Sequence, residues 1–418
     1  MSRSIIALVA ACGLLAAAPV SAAEPGQTVI NSNYGSLTVA AIFQTLFGAR
    51  FDGSDLDRNG SGTVDDQDDF FVNNHYDFQL HRARIILKGS LLSPNLTYAF
   101  QGDATLPEFV LDAKMSYLIP EGEGFSTAIT VGRTLPPFTL ILPRLVSRLD
   151  AINYPIYVFQ GQGGARQPFA TGNTVGRQVG LFVTQKLTSM FQLDIGVFNG
   201  FQRQVVAGGW TDENDLKDFF VRAQVKPLDG LLFAADFWAG FPVSLDSGVA
   251  DDPLTPANEF RAAGPFALAA DDPTWENDSN YFAVFEAEFT MVPGLKLMGE
   301  FAYTHQTVRT LDAATGTRSE ASTDGIGGWF HAGYLFKDLL GAGADFEFIA
   351  RLDYWDADMD NDDNDTLRVT VGPHFFLEGL HSQIRLNYLF NASQVPATAD
   401  TGFEDQRHEL WLQAVVEI

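Results

Sequence analysis

Residues 78–102 alternate apolar and polar positions with a period of two on either side of a short Ser-Pro-Asn turn. On the first arm Ala83, Ile85 and Leu87 share one face, and Arg82, Arg84, Ile86 and Lys88 share the other. On the second arm Leu96, Tyr98 and Phe100 alternate with Thr97, Ala99 and Gln101. This period is that of a β-hairpin with two unlike faces. The unit recurs to the C-terminus with nothing helical to cover its apolar face. Lipid must cover that face, and the polar face must line a lumen. The pattern therefore predicts an all-β chain folded as a transmembrane antiparallel β-barrel.

The strands follow in order. After a polar lead-in over 24–33, Leu37, Val39, Ala41 and Phe43 mark a first strand, and a long polar connection from Asp52 to Asn73 leads to the hairpin. The fourth strand is expected over 109–118 and the fifth over 125–132. Eleven more are expected near 176–185, 191–200, 218–226, 231–240, 280–291, 295–305, 326–336, 345–355, 367–376, 383–391 and 408–418. Roughly 395 residues remain after removal of the leader described below; about 25 residues per strand and connection also predicts about sixteen strands. The connections alternate in length. Ser90–Asn95, Pro120–Gly124, Lys186–Met190, Pro227–Gly230, Val292–Gly294, Lys337–Ala344 and Leu377–Ser382 are short, and most of those between them are long. Short periplasmic turns and long extracellular loops are the habit of outer-membrane barrels, and an even strand count puts both termini in the periplasm.

The first residues read as a secretory signal. Arg3 is its positive end, residues 5–18 are apolar, and Val20-Ser21-Ala22 and Ser21-Ala22-Ala23 are small-residue cleavage sites. Cleavage is expected after Ala22 or Ala23, leaving residues 23–418 as a single barrel domain. A second reading is lipoprotein processing at Cys12, because Val9-Ala10-Ala11-Cys12 resembles a lipobox. Cys12 is the only cysteine, so the mature chain has neither a disulfide framework nor thiolate chemistry. No later apolar run is long enough for a transmembrane helix. The formal net charge of −26 lacks the basic footprint that nucleic acid requires. Thirty-five phenylalanines against 11 tyrosines suit lipid-facing strands with aromatic girdles.

Short motifs spaced along nearly the whole mature chain resemble the phosphate-selective porin O/P family. His81-Arg82-Ala83-Arg84 with Lys88-Gly89 is similar to its opening arginine-rich strand, and Asp112-Ala113 with Tyr117 is loosely similar to its D-A-Y strand. Residues 132–139, Gly-Arg-Thr-Leu-Pro-Pro-Phe-Thr, resemble its proline turn, with Leu135 where the family has lysine. Residues 176–181, 197–200, 328–330 and 350–354 resemble four later motifs. The resemblance implies a sixteen-stranded channel of the Gram-negative outer membrane, a homotrimer surrounded by lipid and lipopolysaccharide. It also implies a constriction made by an inward-folding loop, and an anion preference carried by lumen arginines and nearby lysines. Arg82 and Arg84 carry over onto the first motif, where His81 replaces the family's first arginine.

The connection 133–175 is the longest early insertion and becomes the third extracellular loop. Pro136, Pro137, Pro143, Pro155 and Pro168 stiffen it. Arg144, Arg148 and Arg166 lie within it and Asp150 is its only acid, so a constriction built from it would be cationic. Packing on the rim is the other reading. On the strands, Arg82, Arg84, Lys88, Lys114 and Arg351 are expected to point inward, with Arg222, Lys226, Lys296, Arg368 and Arg385. The acids Asp103, Asp112, Asp194, Asp236, Glu286, Glu288, Glu300, Glu347, Asp353 and Glu409 nearly balance them. Rings of charge set ion preference in pores, but such residues also pair and stiffen a barrel wall, and both readings stand.

Residues 57–68 fit an EF-hand calcium loop. Asp57, Asn59, Ser61, Thr63, Asp65 and Asp68 fall at the ligand positions and Gly62 at the sharp turn. Asp68 replaces the usual glutamate, and a plain solvated acidic loop is the other reading. The acidic run 356–362 lacks the glycine and reads as solvated. No local catalytic motif such as a nucleophile elbow is present, so no enzyme and no required cofactor are expected. The expectation is an outer-membrane porin passing small hydrophilic solutes or ions by diffusion, with a possible preference for anions. The alternatives are a phosphate- or anion-selective channel, or a non-conducting structural or adhesive barrel with calcium-binding acidic loops.

Overall fold

The structure is a computed structural model, and it describes residues 20–22, 28–52, 75–106, 109–122, 124–144, 148–159, 177–199, 217–240, 280–312, 317–339, 343–356, 358–360, 365–394 and 404–418. Sixteen long strands follow one another along the chain. They are β1 Gly35–Asp52, β2 His75–Leu91, β3 Ser93–Asp103, β4 Val110–Gly122, β5 Phe125–Thr134, β6 Gln178–Lys186, β7 Phe191–Phe198 and β8 Asp218–Leu228. Then come β9 Leu231–Gly240, β10 Asn280–Phe289, β11 Leu295–Asp312, β12 Thr317–Phe336, β13 Asp345–Asp356, β14 Thr366–Phe376, β15 Ser382–Gln394 and β16 Glu404–Glu417. Each pairs antiparallel with the next, and β16 pairs back onto β1 from Glu417 opposite Ile42 to Arg407 opposite Asp52. The barrel is closed, which leaves no unpaired edge within the bilayer.

A short strand, Thr28–Ser32, takes the same edge of β1 where β16 stops, pairing with Gly35–Val39. One stave is thus assembled from the two ends of the chain. The Ile418 amide donates to the Ala41 carbonyl (2.8 Å) at the joint.

The outward face carries the lipid-facing residues. Phe43, Ile85, Met115, Phe219, Phe285 and Phe301 are exposed large apolar side chains on the strands. Among the described residues no helix is long and apolar enough to cross a membrane. In β2 the alternation changes phase. Arg82 stands opposite Gln44 and Leu80 opposite Thr45, so His81 is an extra, bulged residue. A bulge shifts the side-chain phase by one position. It lets Phe78 and Leu80 below it share the outward face with Ile85 above it, while Arg82 and Arg84 stay inward.

β11 and β12 extend well beyond the expected 295–305 and 326–336, reaching Asp312 and starting at Thr317. In residues 306–321 the sequence no longer alternates apolar and polar positions, so the period-two signal is lost there. The inner face also departs from expectation. It is polar around β2–β4, but Phe220, Trp238, Phe282, Trp329 and Trp355 point inward and are buried. They form a hydrophobic core inside the barrel, and the long segment after β5 completes it.

Candidate pore constriction

The segment that follows Thr134 leaves the wall and packs inside the barrel. Gly132 stands at φ +125°, and a Cβ there would lie 2.2 Å from the Ala113 carbonyl oxygen. Only glycine fits that close approach of β5 to β4. Beyond it, Phe138, Ile141, Leu142, Leu149, Ile156 and Tyr157 are buried against the inward aromatics. Phe138 meets Trp238 edge-on with ring centroids 5.5 Å apart. Burying such side chains contributes about 1.5–3 kcal/mol each, which makes docking of this segment a packing event as well as a polar one. Its described part includes a single helical turn, α1 (Ile156–Phe159).

A segment without regular structure must satisfy its backbone groups on its neighbours. Here lumen-facing side chains of the wall do so. Thr139 N donates to Asp236 Oδ2 (2.9 Å) and Leu140 N to Glu300 Oε1 (2.5 Å). Glu300 also accepts from Trp329 Nε1 (2.7 Å) and from the Tyr157 hydroxyl. Further round the wall, Ile152 N donates to Asn387 Oδ1 (3.0 Å). Arg351 donates to the carbonyls of Asn153 (2.7 Å) and Tyr154 (3.1 Å). Thr139 takes up φ +66°, rare for a β-branched residue, and its hydroxyl accepts from Leu142 N (3.2 Å). The wall holds it in that conformation.

A salt-bridge cluster fastens the middle of the segment. Arg144 reaches Asp150 (3.0 Å) and Glu288 (2.8 Å), and Lys296 pairs with the same Asp150. Burial works against charge on Asp150, but Lys296, His331 and Arg144 outweigh it and hold the carboxyl below its ordinary range. Burial and the Glu300 carboxylate raise the Tyr157 hydroxyl well above its ordinary pKa, so it stays a donor.

The segment therefore lies against β9–β15 and leaves a gap on the side of β1–β4. Arg84, Lys88 and Lys114 line this gap from the strands and Arg177 from the residue ahead of β6; Arg144 and Arg148 line it from the segment. Asp112 and Glu417 are the carboxylates facing it. Arg84 pairs with Asp103 (2.8 Å) and Arg177 with Asp112 (3.2 Å). Lys114 donates to Thr134 Oγ1 (3.0 Å). Lys88 and Arg148 make no ion pair among the described residues.

The residues singled out from sequence thus divide. Arg84, Lys88, Lys114, Arg144 and Arg148 come together at the gap. Arg82 faces inward and donates to Gln44 Oε1 (2.8 Å). Arg351 is buried behind the segment, bound to its backbone and to Asp353 (2.9 Å), so it holds the segment and does not line the gap. Arg166 and the calcium candidates Asp57, Asn59, Ser61, Thr63, Asp65 and Asp68 lie outside the described residues. Among the described residues no group of three or more His, Cys, Asp or Glu side chains is arranged to hold a metal ion.

Sequence reasoning placed Asp236 and Glu300 on the lumen wall but missed their role as anchors, and it missed Tyr157. The available signal was in β8–β13, where bulky aromatics such as Phe220, Trp238 and Trp329 occupy lumen-phase positions. A water-filled wall has no use for them.

No protein-family model matches the chain, and no curated protein matches it. Solved structures do. The anion-selective porin from Comamonas acidovorans aligns with TM-score 0.53 at 12% identity, over 92% of this chain and 100% of that one. The outer membrane channel DcaP of Acinetobacter baumannii aligns with TM-score 0.54 at 11% identity, over 93% and 99%. Salmonella typhi OmpF, in complex with daunomycin, aligns with TM-score 0.56 at 12% identity, over 93% and 100%. At such identities the likeness is one of fold. The chain has the closed sixteen-stranded barrel of outer-membrane porins, and with its apolar exterior it is a protein of the Gram-negative outer membrane.

Proposed function

We propose that the chain is a passive diffusion channel for small hydrophilic solutes, with a preference for anions set at the gap beside the docked segment. The observation that carries this reading is where the charges lie. The segment covers Asp236, Glu286 and Glu300 on one side of the lumen. Six cations and two carboxylates face the gap left on the other side. A nearly balanced wall thereby becomes a cationic passage, and charge at the narrowest point decides ion preference. The gap holds about 240 Å³, which suits an ion or a small metabolite. The motif resemblance to the phosphate-selective porin O/P family supports the same class of solute.

The test is single-channel recording of refolded protein in a planar bilayer across a KCl gradient. The reversal potential should report anions as the more permeant ions. Lys88→Glu with Arg148→Glu should move it toward cations, since among the described residues these two lining cations have neither an ion pair nor a side-chain hydrogen bond. A protein that inserts and never conducts would overturn the reading.

Three further readings belong to this proposal. A signal peptide is removed after Ala22 or Ala23, which N-terminal sequencing of the membrane-extracted protein checks. The barrels associate as trimers. Supporting this, β6 and β7 have 9 and 8 residues, at or below the roughly 9–11 that a tilted strand needs to span a bilayer, and a neighbouring barrel would shield that low wall. Residues 57–68 bind calcium weakly, a reading supported by their ligand spacing and tested by calorimetric titration.

A further inference from the structure

The lining of the gap has a second character besides charge. Leu135, Pro143 and Tyr154 face it from the docked segment, and Ala40, Ile86 and Ala99 face it from the strands. Apolar surface therefore lines the gap from both the strands and the segment, interspersed with the cations. A small inorganic anion gives up hydration on every side when it enters a narrow site, and donors must replace that water all round. Here apolar side chains interrupt the donors on the strands and on the segment alike. An anion with an apolar body loses nothing against Leu135 or Ile86, because that part of it gains by leaving water.

The ion pairs narrow the class further. Arg84, Arg177 and Arg144 already hold Asp103, Asp112, and Asp150 with Glu288. Lys88, Lys114 and Arg148 are the lining cations without a carboxylate partner among the described residues. Doubly charged phosphate is held by several convergent charge-assisted donors. A single carboxylate is satisfied by one guanidinium fork and one ammonium, which is what Arg148 and Lys88 offer.

We infer that the constriction selects organic monocarboxylates with a compact apolar or aromatic body over inorganic phosphate. This rests on the reading of the gap as the conducting path. Leu135, Ile86 and Tyr154 would contact the body of the solute, and Arg148 with Lys88 its carboxylate.

The experiment uses the refolded full chain in planar bilayers carrying chloride current. Potassium benzoate and potassium phosphate are added separately at matched ionic strength. Benzoate is expected to reduce the chloride current half-maximally at about one-tenth of the phosphate concentration. Two variants, Leu135→Ser on the segment and Ile86→Ser on the wall, should each narrow that ratio to about threefold or less. The pair keeps the test sound if one of them disturbs docking. Arg148→Ala should weaken block by benzoate more than block by phosphate. Equal or stronger block by phosphate in the parent protein would overturn the inference and leave the anion channel standing. An unchanged ratio in both serine variants would overturn it as well. A barrel that does not conduct would remove the channel reading and this inference with it.

Discussion

At the residue scale, single lumen carboxylates perform structural work that their charge alone does not suggest. Glu300 accepts a backbone amide, an indole N–H and a phenol, and so ties Leu140, Trp329 and Tyr157 into one joint. A hydrogen bond is worth about 0.5–1.5 kcal/mol net, and a buried donor left unpaired costs about 1–3 kcal/mol. Glu300→Gln keeps the shape but turns an amide N–H₂ toward donors. It should loosen docking by about 2–3 kcal/mol, raise single-channel conductance and expose residues 140–157 to added protease. A variant with parental conductance and protease resistance would show that packing alone holds the segment.

Asp150 supplies a pH dependence with a definite sign. Its pKa in the folded protein lies below the ordinary 3.8. Its contribution is therefore complete above that value and is lost as the pH falls through the lower, folded one. The Asp150 contribution should be as large at about pH 5 as at neutrality and fall only below about pH 4, read as a difference in conductance fluctuations between the parent and Asp150→Asn that closes in that range. Asp150→Asn should show those fluctuations already at neutral pH, because Arg144 and Lys296 then lose a shared partner.

At the element scale, β2 combines two jobs that a regular strand could not. Its lower part must present Phe78 and Leu80 to lipid and its upper part Arg84 and Lys88 to the lumen. These positions share parity, so an uninterrupted strand would put all four on one face. The bulge at His81 separates them. Deleting His81 would make Leu80, opposite Thr45, and Arg82, opposite Gln44, consecutive residues, a regular strand with the same two faces. That deletion should refold to heat-resistant barrel in near-parental yield, whereas deleting Leu87, which shifts the rest of the strand by one position, should cut the yield severalfold. Equal yields from the two deletions would mean that the register is set by the neighbouring strands alone.

The docked segment shows the complementary case. Little of its conformation is legible from its own residues. Its prolines and its single acid mark a stiff, basic connection. Its path depends on acceptors and aromatics supplied by β8–β15, strands that begin only at Asp218. Arg144 illustrates the difference. By sequence it is one cation of a basic loop, and in the fold it is also a clamp between Asp150 and Glu288.

At the scale of the whole molecule, the barrel sorts its connections. β2 and β3 are separated by Leu92 alone and β8 and β9 by two residues, whereas 135–177 and 241–279 join strands at the other end. With the short turns in the periplasm, protease added to intact cells should cut within 53–74 or 241–279 and spare the turns. Cleavage at 229–230 or 337–344 on intact cells would invert the orientation.

Strand order, sixteen-fold closure and the lipid-facing residues were legible from the sequence, because the bilayer imposes one rule on every strand. Each outward position between the water layers must be apolar, and that leaves a period-two trace wherever the strand crosses. The trace fades over residues 306–321, and the ends of β11 and β12 were accordingly missed. What faces the lumen obeys no such rule. An inward position can be wet, paired to a neighbour or buried beneath a folded segment, and an arginine or tryptophan is compatible with each. Only the tertiary structure decided that the aromatics of β8–β13 form a core, that Arg351 holds backbone, and that the cations of β2–β4 are left facing the passage. Each of those outcomes depends on contacts across the barrel, between residues whose separation along the chain carries no periodic signal.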